Sequence, residues 1–385
     1  MNGHRLRVSL DVSAVPRSPA GAGRYTLELA RALGELDEID LVAVSRRRDA
    51  ARWRPVAHGS VLAAAPKTRP VRLAWEQLRL PGLLAGARLD VHHSPHYTMP
   101  ERARVPVVVT IHDLTFFNHP EWHERSKVLV FRRAITVAAR RAAAIVCVSA
   151  TTADRLHEVC EVRAPVFVAP HGVDLDRFTP NVPAPGRDEA TVRALGVDPV
   201  HPYVLFVGTI EPRKNVPALV RAFDRLAPQH GELRLVIAGQ HGWGADEVER
   251  AILAASVHPD RIVRTGYVSD DALPALLRRS AVVAYPSFEE GYGLPALEAL
   301  ACGAPLVTTS GTAMAELAGA AAVLVRPGDA EDLARGIEEV LAGPAAVSRA
   351  ERRALGLSVA AARTWAASAE KHLAAYRRAA EQGPG

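Results

Sequence analysis

Between Ala281 and Gly303 the chain reads AVVAYPSFEEGYGLPALEALACG, and this stretch limits the possible folds more than any other. Ala281–Tyr285 is a short run of β-formers without polar alternation, the pattern of a strand covered on both faces. Pro295 stands where a helix can begin, because the first turn needs no amide donor. Gly303 and Pro305 end that helix. A buried strand that feeds a glycine loop and then a helix is the repeating unit of a parallel α/β sheet. Glu290 falls in the loop and Glu298 is expected in the first helical turn, with Gly291 and Gly293 near the positive helix end. Backbone amides and a helix N-terminus suit an anion, and carboxylates suit neighbouring hydroxyls. The same residues also describe a solvated helix cap with an acidic first turn. The pattern alone leaves both readings open.

The strand, loop, helix order recurs along the chain. Arg5–Leu10 reads as a strand and Tyr25–Leu36 as a helix, with Pro16, Pro19, Gly21 and Gly23 between them. Further strands are expected at Leu89–Ser94, Val105–Ile111, Ala144–Val148 and Val166–Ala169. His112 sits at the carboxyl end of the second of these. A second series opens with Tyr203–Ile210, which contains Gly208 and runs into the loop Glu211–Asn215, so Arg213 and Lys214 emerge at the ligand edge of a sheet. Leu233–Ala238, Ile262–Thr265, Leu306–Thr308 and Ala322–Val325 continue it, and Tyr267 and Val268 follow the second of these. With 385 residues the chain exceeds one ordinary core. Residues 1–180 are expected to form one Rossmann-like domain and 203–356 a second. The proline- and acid-punctuated segment 181–202 is read as the linker. Residues 357–385 supply a final helix, about Val359–Ala380, with Trp365, Leu373 and Tyr376 on its apolar positions.

Charge is uneven. Residues 1–180 carry 26 Lys and Arg against 18 Asp and Glu, a net of +8, whereas the whole chain has a net of +5. A basic front half suits anionic lipid head groups or a phosphate-bearing acceptor, and an arginine-rich composition accounts for it equally. No nucleic-acid motif accompanies the charge, so nucleic acid is not an expected partner. Val71–Leu84 is basic and amphipathic, which fits membrane-surface docking or packing of Leu73, Trp75 and Leu78 into the domain. No apolar run approaches ~18 residues. No apolar signal-peptide core opens the chain, and the three cysteines show no disulfide or metal spacing. A cytoplasmic protein, at most peripheral on a membrane, is expected. The six histidines between His92 and His123 are scattered over strand ends and loops, and no metal site is expected from them.

The run E-G-Y-G-L-P-x-L-E-A resembles the signature of retaining glycosyltransferase family 4, whose members have the GT-B fold. G-A-G-R-Y at residues 21–25, H-D at 112–113, P-H-G-V-D at 170–174 and G-T-I-E-P-R-K-N at 208–215 resemble other motifs of its mannosyltransferase-like branch. The resemblance implies two Rossmann-like domains facing a cleft, with the C-terminal helix crossing back to the first domain. It implies that Glu290 contacts the donor sugar and Glu298 the ribose. Arg213 and Lys214 would stabilise the leaving diphosphate, and His112 would position the sugar and stabilise charge. Gly208, Gly291, Tyr292, Gly293 and Leu294 would line the donor, as would backbone groups of Tyr267 and Val268 at the base. The amides around Gly21 and Gly23 would contact phosphate or acceptor. The expected reaction moves a hexose, foremost mannose from GDP-mannose, to a glycan or lipid-linked glycan, without metal or cofactor. A UDP- or dTDP-hexose donor, a GT-B nucleotide-sugar epimerase and a non-catalytic nucleotide-sugar-binding partner are the alternatives.

Overall fold

Runs such as VVVTI, YVLFV and VVAY have no polar face to offer water, so each must be covered by helices on both sides. The computed structural model, which describes residues 5–240, 242, 245–254, 261–342 and 349–382, places them in two parallel sheets. Two compact units result. The first comprises Met1–Gly172 with Trp365–Gly385, and the second Val173–Thr364.

The first unit holds β1 (Leu6–Asp11), β2 (Ile39–Arg46), β3 (Val61–Ala65), β4 (Val91–Ser94), β5 (Val107–Ile111), β6 (Ala144–Cys147) and β7 (Val166–Val168). Their spatial order is β3-β2-β1-β4-β5-β6-β7, and every neighbouring pair is parallel. The order reverses between β1 and β4, which makes the carboxyl ends of these two strands a switch point. The helix Ala22–Gly34 begins three residues before the sequence suggests, with Gly21 as its N-cap at φ 49°. Gly23 therefore lies inside the first turn. A Cβ there would press on Pro16 and Pro19.

The final helix breaks where the sequence predicts continuity. Arg349–Ala361 stays in the second unit and Trp365–Ala380 belongs to the first. The break has a local cause, because Thr364 forms a bridge with Val173 and the Val173 amide donates to the Arg363 carbonyl at 2.9 Å. Trp365–Ala380 buries Ala369, Leu373 and Tyr376 in a core with Val8, Leu10, Tyr25 and Leu29. Polar groups lock the same contact. The Tyr25 hydroxyl lies 2.8 Å from both His372 Nε2 and Thr110 Oγ1, and His93 bonds Tyr376 and Thr110 at 2.8 Å each. Burial holds His372 and His93 below the usual histidine range, so they stay neutral at pH 7.

The second unit holds β8 (Tyr203–Val207), β9 (Arg234–Ala238), β10 (Ile262–Gly266), β11 (Val282–Tyr285), β12 (Leu306–Thr309) and β13 (Ala322–Val325), in the order β10-β9-β8-β11-β12-β13. Its switch point lies between β8 and β11. The segment 181–202, expected as a linker, lies within this unit. Its helix Arg187–Ala194 is fastened to Leu273–Arg279 by a bidentate pair, with Arg278 Nε and Nη2 each 2.7 Å from an Asp188 oxygen.

That pair is nearly dry, with side-chain exposures of 8% for Arg278 and 2% for Asp188. Replacing Asp188 by Ala leaves a buried guanidinium uncompensated, which costs about 3–5 kcal/mol. Urea unfolding of Asp188→Ala should show that loss. A stability equal to wild type would mean that the segment is a linker after all.

Candidate active site

The second unit's site begins with chain geometry. β8 and β11 are adjacent and parallel, so the loops after them leave side by side at the carboxyl edge. The loop after β8 carries Arg213 and Lys214 on a short turn, Pro212–Lys214, and the loop after β11 carries Glu290. The Phe288 amide donates to the Arg213 carbonyl at 2.8 Å and ties the loops together. Glu290 then meets both cations. Arg213 Nη1 is 2.5 Å from Oε2, and Lys214 Nζ is 2.8 Å from Oε1. Glu211 holds the Arg213 Nε at 2.8 Å, and the Ser287 hydroxyl donates to Glu290 at 3.3 Å. The Lys214 ammonium lies against Gly208, where a Cβ would come within 3.3 Å of Nζ.

Burial alone would raise the Glu290 carboxyl, but Arg213 and Lys214 overcome it and hold the group at about 2. The carboxylate is therefore charged at any working pH, and the loop is rigidly cross-braced. The helix Leu294–Ala301 starts at Gly293, whose φ of 99° and close approach to Met314 both require glycine. Glu298 is the fifth residue of that helix, one residue further in than a start at Pro295 suggests. Burial raises the Tyr285 phenol well above its usual range, and the charges of Glu298 and Glu290 add to that rise. Leu294 opens the helix and Tyr292 is buried beside it.

Tyr267 and Val268 share this edge two strands away. The Gly208 amide donates to Ala238 at 2.8 Å and the Gly239 amide to Gly266 at 2.7 Å, so the carboxyl ends of β8, β9 and β10 are laced together. Tyr267 is exposed beyond that lacing. Arg213, Lys214, Glu290, Gly208, Gly293 and Glu298 thus converge on one switch point.

His112, Gly21 and Gly23 belong to the first unit. His112 directly follows β5 and is buried, with its Nε2 donating to the Pro95 carbonyl at 2.8 Å. Burial lowers its pKa, so the neutral ring keeps Nδ1 as an acceptor. Its ring packs edge-on to Tyr25 at 5.0 Å, on the helix that Gly21 caps. The Gly23 amide already donates to the Ala20 carbonyl at 3.0 Å, so it is engaged within the turn instead of presented to a ligand. Among the described residues no group of three or more His, Cys, Asp or Glu is arranged to hold a metal ion.

The sequence reading passed over Tyr285, Asp11 and Glu76. The Tyr285 hydroxyl is buried without a hydrogen-bond partner among the described residues, and the charges of both site acids act on it; a phenol that ends an aliphatic strand was the available signal. Asp11 and Glu76 are buried at the switch point of the first unit, where burial and the Asp11 charge push Glu76 up to about 8. They are far apart in sequence and carried no local signal.

The Glu290 linkage has a definite sign. Its folded pKa lies below its unfolded value, so its contribution is complete above about pH 4.5 and fades as pH falls toward 2. In urea titrations, wild type should exceed Glu290→Gln in stability by a margin that is largest near pH 7 and shrinks steadily below pH ~4.5. Parallel curves would show that the two cations do not hold the carboxylate.

Two family models match the chain: Glycosyltransferase Family 4 over residues 19–177 and Glycosyl transferases group 1 over residues 188–356. O-antigen chain mannosyltransferase B of Escherichia coli is 28% identical over 340 residues, covering 83% of this chain and 87% of that protein. D-inositol 3-phosphate glycosyltransferase of Kribbella flavida is 30% identical over 402 residues, covering 94% and 91%. Among solved structures, sucrose-phosphate synthase of Thermosynechococcus elongatus superposes with a TM-score of 0.78 at 20% identity, covering 97% of this chain and 98% of that one. With two parallel-sheet units and both family models matched in order along it, the chain belongs to glycosyltransferase family 4 and has the GT-B fold.

Proposed function

We propose that the protein transfers a hexose, mannose from GDP-mannose, to a hydroxyl of a glycan or lipid-linked glycan with retention of anomeric configuration. One observation carries the reading: two cations and a carboxylate knotted at the switch point of the second unit. Arg213 offers a planar fork and Lys214 a point charge, the pair of donors that a diphosphate takes. Similarity to a mannosyltransferase supports mannose as the sugar.

The reaction breaks the bond between the anomeric carbon and the β-phosphate oxygen, and the electron pair leaves with the diphosphate. The acceptor hydroxyl oxygen forms the new bond to the same carbon, and its proton passes to the departing phosphate. Arg213 and Lys214 meet the charge that develops on the leaving group. Each such donor is worth on the order of 3–4 kcal/mol in enzymes where it has been removed. Glu290 bridges both cations, and a diphosphate that shares them releases a carboxylate oxygen for a sugar hydroxyl. Glu298 takes the ribose, and the main chain at Tyr267 and Val268 takes the base. His112, neutral and with Nδ1 as acceptor, orients a sugar hydroxyl and neither donates nor removes a proton at the reacting carbon. No divalent ion is required, since the two side-chain cations supply the positive charge.

Incubation with GDP-mannose and, in parallel, UDP-glucose and dTDP-glucose should give nucleotide release and transfer with GDP-mannose, undiminished by EDTA. Proton NMR of the product should show the α-anomer, retained from the α-linked donor. Preferential turnover of UDP-glucose or dTDP-glucose would remove mannose, a β-product would remove retention, and free epimerised sugar nucleotide would make the protein an epimerase.

His112→Ala should lower kcat at least tenfold while leaving the GDP dissociation constant unchanged. Turnover at the wild-type rate would remove His112 from the reaction.

A further inference from the structure

The amino edge of the second sheet holds a cavity of about 250 Å³. It is bounded by the chain just before β11, β12 and β13, with Ala281, Pro305 and Ala321 among its lining. The helix Arg349–Ala361 closes it with Arg349, Arg352 and Arg353, and the helix Ala330–Ala342 adds Glu339. The loops that carry Arg213, Lys214 and Glu290 leave the opposite, carboxyl edge of the same sheet, so this cavity is separate from the nucleotide site. The helix Leu294–Ala301 runs between the two edges: Gly293 caps its start beside the Glu290 loop, and Gly303 follows its last turn at the cavity.

The charges around this cavity do not balance. Glu339 is the one acid among the described lining residues, and Arg352 takes it, with Nη2 2.5 Å from Oε1. Arg349 reaches only a neutral partner, the Ala281 carbonyl, at 3.3 Å. Arg353 lies across Gly303, where a Cβ would come within 2.8 Å of its Nε. Neither Arg349 nor Arg353 has an ion-pair partner among the described residues. The placement is also unfavourable for the helix itself. Positions 349 and 353 are one turn apart on one face, so their guanidinium groups repel. Both lie in its first described turns, toward the amino end, where the macrodipole disfavours cations. An anion in the cavity would remove both conflicts.

We propose that this cavity binds a phosphate dianion, free or as the monoester of a small polar molecule, between Arg349 and Arg353. A phosphate monoester carries about −1.5 to −2 charges at pH 7, which matches the two unpaired cations. Guanidinium forks hold phosphate oxygens in pairs, which an ammonium cannot do. The volume of about 250 Å³ falls below the roughly 300–1,000 Å³ of sites for drug-sized ligands, so the body attached to the phosphate is small. The site does not depend on the transferase reading, because none of its groups takes part in that chemistry.

Isothermal titration of the full chain with glycerol 3-phosphate, inorganic phosphate and succinate tests the proposal. Both phosphates should bind at least tenfold more tightly than succinate, and their affinity should fall as salt rises. Tighter binding of glycerol 3-phosphate than of inorganic phosphate assigns an ester to the site, and equal binding assigns the free ion. Arg349→Gln/Arg353→Gln should weaken glycerol 3-phosphate at least tenfold, whereas Lys214→Met, at the other edge, should leave that affinity unchanged. Glycerol 3-phosphate should raise the Tm of wild type and not that of the double variant. Without ligand the double variant should melt no lower than wild type, because the substitutions relieve repulsion. No binding by wild type, or binding untouched by the double variant, would overturn the proposal. Loss of binding in Lys214→Met would place the phosphate in the nucleotide site instead. A double variant that melts lower without ligand would make the two arginines braces of the sheet edge. GDP titration of the same preparations reads the transferase proposal separately.

Discussion

The Glu290 carboxylate, gripped by Arg213 and Lys214, is the interaction around which the switch point of the second unit is built. It exists because β8 and β11 are neighbours in space although some 75 residues separate them in sequence. A switch in strand order leaves the two following loops with nothing between them, and the charges close the gap. Glycine makes the approach possible at Gly208 and Gly293, where a side chain would meet Lys214 and Met314. Three charges that could each be solvated alone are instead held together at one edge.

The first unit is built on a different principle. Its working edge is held by neutral polar groups: His112 on the Pro95 carbonyl, Tyr25 between Thr110 and His372, and Glu76 on Thr98. Neutral, hydrogen-bonded groups can be buried at far less cost than unpaired charges. The last helix enters this network through His372 and Tyr376. The C-terminal segment is thus part of the first unit's core and not an appendage.

Much of this was legible in the sequence where local physics is decisive. β5, β8 and β11 are unbroken β-former runs because both of their faces are covered, and the E-G-Y-G-L-P loop announces its own helix. β2 and β3 went unread; β3 is VLAAA at a sheet edge, where alanines carry no strand preference. The supposed linker was misplaced because proline and acid punctuation resembles a hinge, while the Asp188–Arg278 pair spans 90 residues. The break at 362–364 contains neither glycine nor proline and is made by a bridge to Val173. Leu78, 71% exposed, was placed inward because both faces of its helix carry apolar residues, and a wheel cannot choose between them. The site acids and cations were found from motif and spacing, but the Tyr285 hydroxyl beside them was not.

The central claim is that Arg213 and Lys214 form a diphosphate site. Isothermal titration of GDP into wild type and Lys214→Met tests it most directly. Loss of one charge-assisted contact, about 1.5–3 kcal/mol, predicts a dissociation constant weakened roughly 10- to 150-fold. Equal affinity in the two proteins, with measurable binding in wild type, would contradict the account.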